Sequence, residues 1–370
     1  KPFRCERFQQ ALERFLERKK SLTGGVDQQT IDRLMDTMPP TVLHAYAPAQ
    51  GLPDVRQKIA GYLDETFAMD YRAQDIYMTD GASAALSILA HALLCPGDEA
   101  VTLSPFFSEY RVFVEHAGGV LRVVPGLPGT FQPDLPAIEA AISEKTAIFL
   151  LNSPNNPSGV VLSRESLTAL CALLERKQKE YGHPIYIVAD EPYRELAYGV
   201  EVPFLPEIYR DTVICYSYSK SLSLPGERIG YVYVPQKATD GKALYSAVAG
   251  AARAGGHVCA PSLWQKVIAR CAHLRPDLAS YDRNRKALYE GLTRMGYEMA
   301  KPDGAFYLFI KAPGGDANAF SDAAKKKDLL VVPGDGFGCP GYFRICYCVS
   351  LEMIQKSLPV FEELIRCGEW

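Results

Sequence analysis

No CxxC pair occurs among the ten cysteines of the chain, and its six histidines form no HExxH or similar cluster. Ligand spacings of the kind used by zinc fingers and metalloproteases are therefore missing, and no metal centre is expected. The nearest cysteines are Cys346 and Cys348; others stand in apolar contexts such as HALLC and CALLE. Such cysteines read as small core residues in a reducing, cytoplasmic compartment. No apolar run approaches the ~20 residues needed to cross a bilayer. The N-terminal stretch KPFRCERFQQALERFLERKK is charged and amphipathic and lacks a signal-type apolar segment. The chain opens on Lys1 in place of Met, as a trimmed or processed start would. Basic charge is not in excess: the net charge is −3, which argues against a nucleic-acid or membrane-surface partner. No GxGxxG follows the first strand, which argues against a dinucleotide-binding oxidoreductase. Repeats and low-complexity linkers are also lacking.

What is present is ordinary soluble composition, 48% apolar and 22% charged over 370 residues, enough for a two-domain protein with a large core. From about residue 56, amphipathic stretches alternate with short apolar runs. VRQKIAGYLDETF, ASAALSILAHALL and ESLTALCALLERKQKEY read as helices. DIYMT, EAVTL, VLRVV, TAIFLLN, PIYIVAD, TVICYS and RIGYVYV read as strands. Strands and helices in alternation predict an α/β domain with a largely parallel sheet covered on both faces. After about residue 262 a long helical region leads into GAFYLFIK, DLLVVPG and YFRICYCV, read as strands, and the closing helix LEMIQKSLPVFEELIRC. That part predicts a smaller α+β domain.

Five segments fall where a parallel sheet presents its ligand-binding edge. TDGASAAL passes from strand to helix through Gly81, so the amides of Ala82 and Ser83 would face a phosphate or merely open a capped helix. NSPNNPSG follows a strand and offers Asn156, either to a ligand or as part of a rigid turn. PIYIVADEPYREL ends a strand at Asp190, with Tyr193 beyond; the carboxylate suits a buried cation or a helix cap with Pro192 behind it. CYSYSKSLSLPGERIG places Lys220 between Ser217 and Arg228. A lysine there is either a solvated loop residue or a desolvated amine kept for covalent chemistry. GYFRICYC sets Arg344 in an apolar strand, where it faces an anion or a salt-bridge partner.

The order of these segments resembles the pyridoxal-phosphate aminotransferases of fold type I, the class I and II group around aspartate aminotransferase. Ser217, Ser219, Lys220, Pro225, Gly226, Arg228 and Gly230 match the signature around the cofactor lysine, and the likeness runs from Tyr46 to the C-terminus. The resemblance implies an α/β fold. A large domain at 42–287 would carry a mostly parallel seven-stranded sheet flanked by helices, and a smaller α+β domain would combine 1–41 with 288–370. It further implies a ping-pong transfer of an amino group between an L-amino acid and a 2-oxo acid through a Schiff base at Lys220. Lys220 would also move the Cα proton. Asp190 would meet the pyridine nitrogen; at about 4 Å and an effective dielectric near 20 such a pair is worth roughly 4 kcal/mol. Asn156 and Tyr193 would hold the ring 3-oxygen, and Phe107 would stack on the ring. Gly81, Ala82, Ser83, Ser217 and Arg228 would clamp the phosphate, and Arg344 the substrate α-carboxylate. Tyr46 would reach the phosphate of a second subunit, implying a homodimer with shared sites.

Some features depart from the pattern. The expected Gly-x-Pro substrate loop is replaced by Gly24 and Gly25, with no proline until Pro39, so Gly24 stands as its counterpart. Phe107 lacks the hydroxyl of the usual tyrosine, Glu227 replaces an apolar residue, and only Arg253 offers itself for a side-chain carboxylate. Two other readings use the same motifs: a C–S β-lyase of the same fold, and a cofactor-binding regulatory protein. The second lacks a fused basic helix-turn-helix segment.

Overall fold

Short apolar runs become the strands of one central sheet: β1 (Ile76–Thr79), β2 (Glu99–Ser104), β3 (Val120–Pro125), β4 (Thr146–Asn152), β5 (Tyr186–Asp190), β6 (Thr212–Ser217) and β7 (Gly230–Tyr233). The structure, a computed structural model, describes residues 45–368 together with Gln29 and Asp32. Gly24 lies outside the described residues. Strand order is β1-β7-β6-β5-β4-β2-β3. β7 runs antiparallel to both neighbours and all other pairings are parallel. The mostly parallel seven-stranded sheet expected above is therefore present.

Helices α1 (Pro53–Phe67), α2 (Ala82–Leu93), α3 (Glu109–His116), α4 (Leu135–Ala141) and α5 (Arg164–Tyr181) come from the first half of the chain. The short α6 (Leu205–Ile208) and α7 (Tyr218–Ser221) precede α8 (Gly241–Ala254), α9 (Ser262–Cys271) and α10 (Leu278–Arg294). Side-chain alternation along the strands divides the core. Val213 and Cys215 of β6 join Val232 of β7 beneath α2, α3 and α8, whereas Ile214 and Tyr216 turn to the opposite face with α1 and α9. Phe149, Leu151 and Ile187 of that second face pack on α5. Each fully buried aliphatic or aromatic side chain contributes roughly 1.5–3 kcal/mol of transfer free energy. Covering both faces explains why these strands read as continuous apolar runs. Helix α5 begins where Ser163 accepts from the Ser166 amide and ends at Gly182, whose φ of 76° closes the last turn.

Strands β8 (Tyr307–Lys311), β9 (Val332–Pro333) and β10 (Tyr342–Cys346) form a second, antiparallel sheet in the order β8-β10-β9. It packs with α10, α11 (Ala317–Lys325) and α12 (Leu351–Cys367) around Leu308, Ile310, Phe320, Phe343 and Phe361.

Candidate active site

The parallel register aligns the carboxyl ends of the central strands. Asn152 pairs with Asp190, and Asp190 with Cys215, across β4, β5 and β6. Ser217 pairs with Gly230, and Gly230 with Thr79, across β6, β7 and β1. Loops leaving these ends carry most of the candidate residues to one edge, the usual ligand crevice of an α/β sheet.

Asp190 is 4% exposed, and no helix starts behind it: turn residues 192–195 follow. The helix-cap reading is thereby removed. Its Oδ2 accepts a 2.7 Å hydrogen bond from the Tyr110 hydroxyl, while Oδ1 is buried with no hydrogen-bond partner among the described residues. Burial pushes its carboxyl up to about 7, and the Tyr110 bond pulls the other way. A buried carboxylate oxygen with no donor is costly unless a cation or N–H meets it. Asn152 donates from Nδ2 to the Asp190 carbonyl at 2.8 Å, and its Oδ1 accepts from the Asn156 amide at 2.6 Å. One asparagine thus ties the strand end to the NSPNNPSG loop.

Lys220 stands on α7, a single turn opened by Ser217, whose Oγ accepts from the Ser219 amide. Its Nζ lies 5.6 Å from the Phe306 ring centroid. Burial drives its pKa below the ordinary lysine value. Cys348 and Cys346 oppose that fall, and the Arg228 and Arg344 cations reinforce it. The solvated-loop reading does not fit that environment. Phe306 packs edge-on against Tyr193 at 5.5 Å. Tyr193 and Tyr307 share a hydroxyl–hydroxyl hydrogen bond of 2.9 Å. Burial pushes both phenols up, Tyr307 to about 12.

Arg344 in β10 is held by faces and one amide. Its guanidinium carbon lies 4.8 Å from both the Tyr307 and Phe337 ring centroids, and Nη1 donates 2.8 Å to Asn156 Oδ1. Among the described residues it has no carboxylate partner. The salt-bridged edge reading is therefore removed, and a stacked, half-buried guanidinium is left to receive an anion.

At the amino end of α2, Gly81 has φ 87° and ψ 178°, a conformation open to glycine. A Cβ at Gly81 would lie 2.9 Å from Arg228 Nη2, so glycine here lets the guanidinium approach the free amides of Ala82 and Ser83. Arg228 itself has φ 50°. The fold holds a bulky residue in the left-handed region to aim it. Gly230 also approaches Gly81, with Ser217 paired beside it. Helix amides, a forked guanidinium and a hydroxyl form a donor set suited to a phosphate.

These observations fit pyridoxal phosphate: the donor cluster suits its phosphate, the unpartnered Asp190 oxygen suits a protonated ring nitrogen, and Lys220 suits its aldehyde. Phe107 packs edge-on to Tyr110 with ring centroids 5.7 Å apart, beside Asp190. Contacts thus link Lys220, Tyr193, Arg344, Asn156, Asp190 and Phe107. Two of the candidates among the described residues are not linked to that chain: Tyr46 is 98% exposed, and Arg253 is exposed in the last turn of α8. Gly24 lies outside the described residues. Tyr110, Tyr307, Phe306 and Asn152 were not singled out by the sequence. Tyr110, in SPFFSEY, carried the one usable signal, its helical spacing of three from Phe107.

The family model for aminotransferases of class I and II matches residues 23–360. An aspartate aminotransferase of Thermotoga maritima is 30% identical over 328 residues, 87% of this chain and 83% of that protein. An aspartate/prephenate aminotransferase of Thermus thermophilus is 31% identical, covering 86% and 83%. Among solved structures, an amino transferase from Eubacterium rectale is similar with a TM-score of 0.89 and 51% identity, over 92% of this chain and 86% of that one. The aspartate aminotransferase structure from Thermotoga maritima gives 0.81 and 29%, over 91% and 86%. A match across most of both chains, on this fold and around this site, places the chain in the class I and II aminotransferase family, whose members are pyridoxal-phosphate-dependent transaminases.

Proposed function

We propose that Lys220 is the catalytic lysine of this transaminase and that Arg344 receives the α-carboxylate of both the amino acid and the 2-oxo acid. The observation that carries the reading is the unpartnered, buried Oδ1 of Asp190, in a site whose contacts run on to Lys220 and Arg344. Pyridoxal phosphate, when bound, supplies an aldehyde carbon for the amine and a ring that accepts electrons from the substrate Cα. The side chains supply the rest. Lys220, whose proton affinity is lowered by burial, gives up its proton more readily to act as the nucleophilic amine and then carries the Cα proton. Asp190 holds the ring nitrogen protonated, and Tyr110 keeps the carboxylate aimed. Tyr193 and Asn156 would hold the ring oxygen. Gly81, Ala82, Ser83, Ser217 and Arg228 would take the phosphate, and Phe107 would stack on the ring. Arg344 orients the substrate through a forked contact that lysine cannot copy.

The relatives are named for aspartate, and we infer an acidic amino acid as the donor; Gly24, the substrate-binding candidate of the sequence, lies outside the described residues. Tyr46, 98% exposed, is read as reaching the phosphate of a second subunit in a homodimer. A large domain at 42–287 and a small one from 1–41 and 288–370 complete the reading; that boundary falls inside α10. The nine cysteines among the described residues are free thiols, which supports a reducing, cytoplasmic location. No helix among the described residues is long and apolar enough to cross a membrane. Borohydride reduction of the loaded enzyme, followed by peptide mapping, tests the central assignment: the pyridoxyl group should remain on Lys220. Label on any other lysine removes it. A donor panel, with aspartate first and keto acceptors added afterwards, tests the substrate.

A further inference from the structure

Asp190 and Tyr193 meet Tyr110 and Tyr307 in the site, but the residues beside them turn to a second cluster. Glu191, Arg194 and Glu195 bury their side chains to 5%, 5% and 9% exposure. Arg194 Nη1 donates to Glu191 Oε2 at 2.8 Å, and Nη2 donates to the Tyr231 hydroxyl at 3.1 Å. Its guanidinium carbon lies 4.6, 5.2 and 5.8 Å from the ring centroids of Tyr216, Phe67 and Phe204. One cation thus has two carboxylates beside it, although burial pushes Glu191 up to about 7 and Arg194 opposes that rise. The second carboxylate has a better partner than the arginine. Glu195 Oε1 stands 3.5 Å from Arg194 Nε, a long contact, whereas its Oε2 accepts from the Tyr216 hydroxyl at 2.9 Å. The same hydroxyl shares a 2.9 Å hydrogen bond with Ser221 Oγ.

Ser221 is the residue after Lys220. Both stand on α7, a helix of four residues, too short to keep its form without packing. The Tyr216 ring also packs edge-on against Tyr218, with centroids 5.0 Å apart. Tyr216 therefore grips α7 on both sides of Lys220 in the chain, with its ring at Tyr218 and its hydroxyl at Ser221. We propose that Arg194, Glu195 and Tyr216 are positioning residues for Lys220, fixing from behind the turn that carries its amine.

Stability alone does not account for such a cluster, because replacing a buried ion pair with apolar residues is often neutral or stabilising. Geometry does: a reacting group displaced by about 1 Å can lose roughly 100-fold in rate. Glu191 follows Asp190 directly, and Arg194 follows Tyr193. One set of contacts therefore braces the segment carrying Asp190 and Tyr193 against the turn carrying Lys220. Arg194 centres the cluster, Glu195 passes its hold to Tyr216, and Tyr216 passes it to Ser221. The inference rests on Lys220 being the lysine that joins the cofactor.

The test compares two ligands on the full chain stripped of cofactor. Pyridoxal phosphate joins its aldehyde carbon to the lysine nitrogen with loss of water. Pyridoxamine phosphate has the same ring and phosphate but no aldehyde, so it reports the rest of the site without the lysine bond. Arg194→Ala would leave two carboxylates buried without their cation, so the variants are Tyr216→Phe and Ser221→Ala, which each remove one hydroxyl. Both should weaken pyridoxal phosphate binding roughly tenfold and leave pyridoxamine phosphate binding within about twofold. In the loaded enzyme kcat should fall roughly 10- to 100-fold with KM little changed. The double variant should lose no more than Tyr216→Phe alone, since that change already breaks the Ser221 contact. Equal weakening of both ligands, or of neither, overturns the positioning role. Borohydride label on a lysine other than Lys220 in the unsubstituted enzyme overturns instead the reading on which the inference rests.

Discussion

Asp190→Asn should move stability and catalysis in opposite directions. Without cofactor, the buried carboxyl has its pKa raised from 3.8 to about 7. The folded protein therefore binds a proton through that interval which the unfolded chain has already released. Stability from this group is fully present below 3.8, declines as pH rises, and is lost above about 7. At about 1.36 kcal/mol per pKa unit the interval amounts to roughly 4 kcal/mol. Asparagine keeps a hydrogen-bonding oxygen for Tyr110 but has no proton to lose. At about pH 8 the cofactor-free variant should therefore unfold with a free energy higher by an amount approaching that figure, and the gap should close at about pH 4.

With cofactor bound the balance reverses. A carboxylate about 4 Å from the ring nitrogen, at an effective dielectric near 20, is worth roughly 4 kcal/mol. Losing it should lower kcat/KM for the amino-acid half-reaction by as much as ~1,000-fold. Denaturant melts of the cofactor-free protein across pH and single-turnover kinetics of the loaded enzyme read the two effects separately. A melt difference independent of pH would refute the desolvation argument. Normal turnover would refute the pairing of Asp190 with the ring.

Arg344→Lys should leave the bound-cofactor absorbance unchanged and lower kcat/KM by roughly 2–4 kcal/mol for amino acid and keto acid alike; unequal losses would mean that Arg344 meets only one of them. Gly81→Ala puts a Cβ 2.9 Å from Arg228 Nη2 at φ 87°, and about 1–3 kcal/mol of strain should appear as weaker cofactor binding in equilibrium dialysis, with the apoprotein still folded. Mixing Tyr46→Phe and Lys220→Ala chains should restore activity above that of either alone, because one mixed site is then intact; a fully active monomer in sedimentation excludes shared sites.

The parts of the fold legible in the sequence are those set by local burial. TAIFLLN and TVICYS coincide with β4 and β6 because both faces of those strands are covered. DLLVVPG shrank to Val332–Pro333, since Asp328 takes φ 58°, Leu330 is 77% exposed, and only two residues pair with β10. An edge strand on a small sheet has little burial to enforce its length. The antiparallel insertion of β7 between β1 and β6 depends on pairings more than 140 residues apart for β1, which no local pattern records. The site divides in the same way. Lys220, Asp190 and Arg344 stand out because an ionisable group in an apolar run needs a reason. Tyr110 and Tyr307 do not stand out, because a tyrosine in an apolar run is ordinary core. They join the site only through contacts spanning 80 and 114 residues, to Asp190 and Tyr193. The residues proposed to do chemistry were thus visible as local anomalies, whereas those proposed to orient them are chemically unexceptional and stand out only from where the folded chain delivers them.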